Sequence, residues 1–206
     1  MIAAFEGLPY AGKSTLLRDA VTLLPRDRSV HCISETVLPA LARFESFELR
    51  QAGLESYQEN DWLKSSLCES ASTDSIILMD RYFFSTIVCD LALNGFHGRS
   101  EMIERMCFYR GAVLPDIILY VDTSIETIQT RAQEDSRRRL VGPWSGDLRI
   151  IERLYDMMLT LIENNFLAKV YRLRTAADLA APLSEIQSHA IRRYSQMSRS
   201  EQSCRA

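Results

Sequence analysis

The sequence predicts an α/β fold, a five-stranded parallel sheet with helices on both faces. Three observations predict it. Short apolar runs recur along the chain, and long segments of helical composition separate them. A glycine-rich stretch stands between the first run and the first helical segment. The 206 residues suit one domain with a large core, and 47% hydrophobic content supports a globular chain.

The apolar runs cover residues 2–5, 29–33, 76–79, 117–121 and 170–173. Ile76-Ile77-Leu78-Met79 and Ile117-Ile118-Leu119-Tyr120-Val121 are continuous, as central strands buried on both faces require. Helical composition follows the first run over residues 15–24, and residues 54–70 read as a second helix. Alternation of strand and helix places ligands at the carboxyl ends of the strands. Residues 94–100 and 142–147, which carry Gly, Pro and Ser, read as loops. The domain is expected to span residues 1–191, with an arginine-rich lid at about 131–147. Residues 192–206, rich in Ser, Arg and Gln, read as a flexible tail.

Composition excludes several classes. A formal charge of −3 argues against a general nucleic-acid or membrane binder. No apolar run is long enough to cross a membrane. Five cysteines without a C-x-x-C pair read as reduced thiols, which predicts a cytoplasmic protein. His31, His97 and His189 show no metal-ligand spacing.

Gly7-Leu8-Pro9-Tyr10-Ala11-Gly12-Lys13-Ser14-Thr15 matches G-x-x-x-x-G-K-[ST], the phosphate-binding P-loop, in the strand–loop–helix context it needs. Gly7 and Gly12 let successive N–H groups point at phosphate oxygens, and the helix that follows adds the positive end of its dipole. Lys13 is expected on the β- and γ-phosphates of ATP, with Ser14 on Mg²⁺.

Three further groups of residues carry chemistry. The third strand ends in Asp80-Arg81-Tyr82. Asp80 there is Walker-B-like and is expected to orient Mg²⁺, and Arg81 then sits where phosphate charge collects. A plain Asp–Arg ion pair is the simpler alternative. The second strand ends in Ser34-Glu35. Glu35 is either a general base or hydroxyl holder on the acceptor side, or a solvated helix cap. Arg131, Arg137, Arg138 and Arg139 suit a lid that neutralises the transferring phosphoryl, or else a solvated helix face. Tyr57, Gln58, Asn60 and Trp62 on the second helix either frame a planar base or belong to the core.

Taken together, Phe-Glu-Gly-Leu-Pro-Tyr-Ala-Gly-Lys-Ser-Thr, Met-Asp-Arg-Tyr-Phe-Phe-Ser-Thr and Leu-Pro-Asp-Ile-Ile-Leu-Tyr-Val-Asp resemble the thymidylate kinase family and the related deoxynucleoside kinases over roughly residues 1–180. The resemblance implies ATP and Mg²⁺ as donor and cofactor, a nucleoside or nucleotide acceptor, and a homodimer. It places Lys13, Glu35, Arg81, Arg137, Arg138 and Arg139 in catalysis. It places Gly7, Leu8, Pro9, Tyr10, Ala11, Gly12, Lys13, Ser14, Thr15 and Arg131 on ATP, with Thr175, Ala176 and Ala177 bordering adenine. Glu35, Tyr57, Gln58, Trp62, Arg81 and Phe84 would meet the acceptor, and Ser14 and Asp80 the metal. Two departures bear on the substrate. Pro9 stands where thymidylate kinases carry an acidic residue, and Ser34-Glu35-Thr36-Val37-Leu38 stands where they carry Arg-Glu-Pro-Gly-Gly. The acceptor is therefore a nucleoside, a monophosphate or a nucleoside-like natural product. A nucleotide-binding regulator without catalysis is the alternative from another class.

Overall fold

A computed structural model describes residues 1–25, 29–35, 47–72, 74–95, 98–135, 147–165 and 167–188, with the side chains of 47–52 left aside. Five strands form one parallel sheet in the order β2-β3-β1-β4-β5. They are β1 Ile2–Glu6, β2 Val30–Ile33, β3 Ile76–Asp80, β4 Ile117–Val121 and β5 Lys169–Leu173. The helices are α1 Lys13–Leu23, α2 Phe47–Ser70, α3 Phe83–Asn94, α4 Arg99–Phe108, α5 Ile125–Glu134 and α6 Leu148–Asn164. A 3₁₀ turn, Ala176–Leu179, and a helix over 180–188 close the described chain. The predicted strands are found to within a residue at each end. Helix α2 begins at Phe47, seven residues before the expected start.

The sheet separates two apolar cores by the two-residue side-chain period of its strands. Ala3 and Phe5 of β1 face Leu16 and Ala20 of α1 and Ile186 near the chain's end. Ala4 faces the other core, with Ile77 and Met79 of β3, Phe83 and Ile87 of α3, and Tyr155 and Met158 of α6. Burial of β3 and β4 on both faces explains why their sequences are uninterrupted runs. Helix α6 shows the opposite pattern. Its buried residues, Ile151, Leu154, Tyr155, Met158 and Ile162, recur at the spacing of one helical stripe.

The fold positions the site through register. Phe5 pairs with Asp80, and Glu6 pairs with Tyr120. Ile33 pairs with Met79, one residue short of Asp80. The carboxyl ends of β1, β2 and β3 therefore reach one level, and the segments leaving them share one cleft. Among the described residues no helix is long and apolar enough to cross a membrane.

Candidate active site

The loop after β1 depends on two glycines. Gly7 has φ 136°, and a Cβ there would lie 2.8 Å from the carbonyl oxygen of Val121 on β4. Gly12 has φ 102° and precedes the first residue of α1. Thr15 N–H and Leu16 N–H donate to Gly12 O, at 3.1 and 3.0 Å, and the positive end of α1 lies against the loop, as an anion site requires. Lys13 folds back over the loop. Its Nζ donates to the carbonyls of Gly7 (3.1 Å) and Leu8 (2.7 Å). Burial pushes this ammonium down to about 7, with Arg81 adding repulsion and nearby carboxylates opposing it.

Leu8 and Ala11 are buried, and Pro9 and Tyr10 half-buried, so the loop acts mainly through its backbone. Arg131 of α5 crosses it, with Nη1 donating to Tyr10 O (2.9 Å) and Ala11 O (3.3 Å). Thr123 also donates to Ala11 O, at 2.8 Å. Thr175, Ala176 and Ala177 are exposed on the turn after β5. There Asp178 accepts from the backbone N–H groups of Arg174 and Thr175.

Ser14 donates to Asp80 Oδ2 at 2.6 Å. Asp80 Oδ1 is buried without a hydrogen-bond partner among the described residues. One hydroxyl and one carboxylate with an open lone pair fit Mg²⁺, which takes few protein ligands and completes its octahedron with water and phosphate oxygens.

Arg81 lies beside Lys13, and both donate to the carbonyl of Gly7. Its Nε is 2.9 Å from Glu35 Oε1. Its Nη1 donates to Gly7 O and Ser85 Oγ, both at 2.9 Å, and lies 3.5 Å from the Tyr155 hydroxyl. Burial opposes its charge, but Glu35, Tyr155 and Glu6 outweigh that and raise its pKa. Beneath it Glu6 is fully buried, accepting from Tyr82 N–H (2.8 Å), from the Ser85 hydroxyl and from Tyr155 (3.3 Å). Burial pushes the Glu6 carboxyl up to about 7, and Ser85 and Arg81 restrain the shift.

Tyr57 is half-buried, and its phenol is raised by burial and by Glu35. Gln58 lines a cleft of about 650 Å³ between α2, α3 and α4, with Leu54, Thr86, Asp90, Arg105 and Tyr109. Trp62 and Phe84 stand elsewhere. Trp62 stacks on Tyr109, with ring centroids 5.8 Å apart, and meets Phe108 edge-on. Phe84 is 1% exposed and packs on Phe83 and Tyr82. Trp62 and Phe84 were both expected to meet the acceptor; Phe84 is instead sealed in the core, and Trp62 is held against the aromatic rings at the end of α4. Arg137, Arg138 and Arg139 lie outside the described residues, as do Thr36, Val37, Leu38, His97 and His189.

Sequence reasoning passed over Glu6, Lys64, Ser85 and Tyr155. Glu6 carried one signal, an acidic residue ending an otherwise apolar strand directly before the glycine-rich loop. Lys64 and Tyr155 carried none, because Lys64 sits in a long helix among many polar residues and Tyr155 on an apolar helical stripe that reads as plain core.

No protein-family model matches the sequence, and no curated protein matches it. Solved structures do match by fold. The chain is similar to thymidylate kinase from Candida albicans at 18% identity, over 91% of both chains, with a TM-score of 0.57. It is similar to deoxyadenosine kinase from M. mycoides with dCMP and dCDP bound at 17% identity, over 91% of this chain and 99% of that one, with a TM-score of 0.58. The same kinase with bound dCTP gives 16% identity, 91% and 100% coverage, and a TM-score of 0.55. The chain therefore has the five-stranded parallel fold of these nucleoside and nucleotide kinases.

Proposed function

We propose that this chain is a kinase that transfers the γ-phosphoryl group of ATP to a hydroxyl of a nucleoside. The observation that carries the reading is the Glu35–Arg81 pair, 2.9 Å apart, set beside Lys13, which shares the Gly7 carbonyl with Arg81, and directly after the Asp80 that accepts from Ser14. Fold likeness to thymidylate and deoxyadenosine kinases supports the substrate class.

The loop N–H groups and Lys13 would hold the donor phosphates, and Lys13 would exchange two carbonyls for phosphate oxygens. Ser14 and Asp80 would hold Mg²⁺, which neutralises phosphate charge when bound. Glu35 accepts the proton as the acceptor oxygen forms its bond to the γ-phosphorus. The bond from that phosphorus to the β–γ bridging oxygen breaks, and ADP leaves with the electron pair. Arg81 keeps Glu35 oriented and lies where charge develops.

The pair also favours a nucleoside over a monophosphate. An acceptor phosphate would have to displace Glu35 from Arg81 and remain beside that carboxylate. A hydroxyl needs a base there and meets no like charge. The second reading, a monophosphate acceptor, draws on the same buried Arg81 cation. The resemblance adds a homodimer, and the reduced cysteines a cytoplasmic setting, to the proposal.

The test is transfer of ³²P from γ-labelled ATP to a panel of nucleosides, their monophosphates and sugar alcohols. Label on a nucleoside but on no monophosphate supports the reading. Label on monophosphates alone selects the second reading. Nucleotide binding without transfer to any acceptor selects a regulator.

A further inference from the structure

The segment joining β3 to α3 holds Arg81 at φ 60°, a left-handed conformation that side chains with a Cβ avoid. Such a residue persists only where its surroundings over-determine it. Four hydrogen bonds do so here. Arg81 N–H donates to Phe5 O at 3.0 Å. Tyr82 N–H donates to Glu6 Oε1 at 2.8 Å. The carbonyls of Asp80 and Arg81 both accept from Lys64 Nζ, at 3.1 and 2.8 Å.

These two carbonyls belong to the peptide planes on either side of the Arg81 Cα. Rotation about φ moves one plane and rotation about ψ moves the other. A single ammonium bonded to both therefore fixes the pair of angles, and with them the direction in which the Arg81 side chain leaves the backbone. Lys64 is 3% exposed and comes from α2, the helix that also carries Tyr57 and Gln58. Asp61 holds that helix in place by accepting from Thr86 (2.6 Å) and from Tyr109 (3.1 Å). Asp61, Glu6, Glu35 and Asp80 all surround Lys64 and favour its charge, while burial opposes it.

We infer that Lys64 is a positioning residue. It holds the Asp80–Arg81 turn so that Asp80 stays on Ser14 and the Arg81 guanidinium reaches Glu35. The catalytic consequence rests on the reading of Glu35 and Arg81 given above. The structural consequence does not.

The test uses the full chain with Lys64→Met, which keeps the length of the stem and removes the donor. In its crystal structure Arg81 is expected at a negative φ, with the contact to Glu35 lost. Arg81 at φ near 60° with that contact intact overturns the inference. In transfer from γ-labelled ATP to a nucleoside, kcat is expected to fall about 10²-fold. The KM for ATP is expected to change less than kcat, because Lys13 and the loop N–H groups are not bonded to Lys64. Lys64→Arg, which keeps a cation, should recover part of kcat. The double variant Lys64→Met/Arg81→Met should lose less than the sum of the two single losses, and fully additive losses overturn the inference. Lys64→Gln, which retains one donor, takes the place of Lys64→Met in both readouts should the latter not fold. Absence of transfer to any nucleoside in the unsubstituted chain defeats the kinase reading, and the geometry of Arg81 still decides the role of Lys64.

Discussion

Two turns at the carboxyl ends of neighbouring strands use the same device for different ends. The loop after β1 and the turn after β3 each contain a residue other than glycine in the left-handed region, Tyr10 at φ 58° and Arg81 at φ 60°. Each has a buried lysine bonded to two backbone carbonyls, Lys13 to Gly7 and Leu8, and Lys64 to Asp80 and Arg81. In the first turn the lysine lies five and six residues from its acceptors, inside one motif. In the second it comes from a separate helix, 16 and 17 residues away. On the proposed reading Lys13 lies where the donor phosphates would bind and would trade its carbonyls for them. Lys64 is buried beneath its turn. The first turn would then be an instrument of binding and the second a fixed mount.

The sharpest way to break this contrast is Lys13→Ala. Transfer should fall to background, a loss of at least about 10³-fold, because Arg81 and Arg131, the other cations at this loop, are held by Glu35 and by the loop carbonyls. The protein should still fold, since the carbonyls released belong to the loop and not to the sheet. Turnover within tenfold of the unsubstituted chain, with unchanged circular dichroism, would mean that Lys13 is as structural as Lys64.

Glu35→Gln tests the side of the cleft that the second turn mounts. General-base assistance contributes ~10²–10⁴, so kcat should drop by that factor while KM changes little. The neutral amide keeps the volume and can still accept from Arg81. An unchanged kcat would make Glu35 a partner of Arg81 only and move the proposal towards a phosphate acceptor.

Gly7→Ala should cost stability. Strain at φ 136° and a Cβ 2.8 Å from Val121 O together predict a loss of about 1–3 kcal/mol. It would be read as a lower urea midpoint at constant m-value. The backbone oxygen of a central strand has little room to retreat. A midpoint equal to that of the unsubstituted protein would show that the loop shifts away from β4, and that its geometry is less fixed than that of the turn at Arg81.

The same contrast explains what was legible in the sequence. The phosphate loop is contiguous, so its residues declare one another. The strand ends Glu35 and Asp80-Arg81 were legible because a charged residue stops an apolar run at the end where ligands gather. Helix α2 was misleading. Its buried stripe is largely polar, with Asp61, Lys64 and Ser65 inside and Trp62, Leu63 and Leu67 facing outward to different degrees. Hydrophobic periodicity cannot find such a stripe, because the residues it buries are the ones it assigns to water. Lys64 looks like a surface lysine until β3 brings two carbonyls to it. Phe84 shows the complementary limit, since its burial depends on α3 packing and not on the motif beside it.

The smallest expected effect bears directly on the two lysines. Burial holds Lys13 down to about 7 in the free protein. Bound polyphosphate places negative charge at its Nζ and raises that value towards the ordinary lysine range. At pH 8 most Lys13 is therefore neutral before binding and charged after it, so binding takes up a proton. Glu6, pushed up to about 7, is already mostly ionised at pH 8 and adds little. Lys64 is also lowered by burial, but its partners are carbonyls that no ligand replaces, so it contributes no change. Calorimetric titration with ADP in two buffers of different ionisation enthalpy should give an uptake approaching about one proton at pH 8, declining well below pH 7. By linkage the affinity for ADP should weaken as pH rises from about 7 towards the ordinary lysine value. Lys13→Met should abolish the uptake and Lys64→Met should leave it in place. Uptake that survives Lys13→Met, or disappears in Lys64→Met alone, would reverse the roles assigned to the two turns.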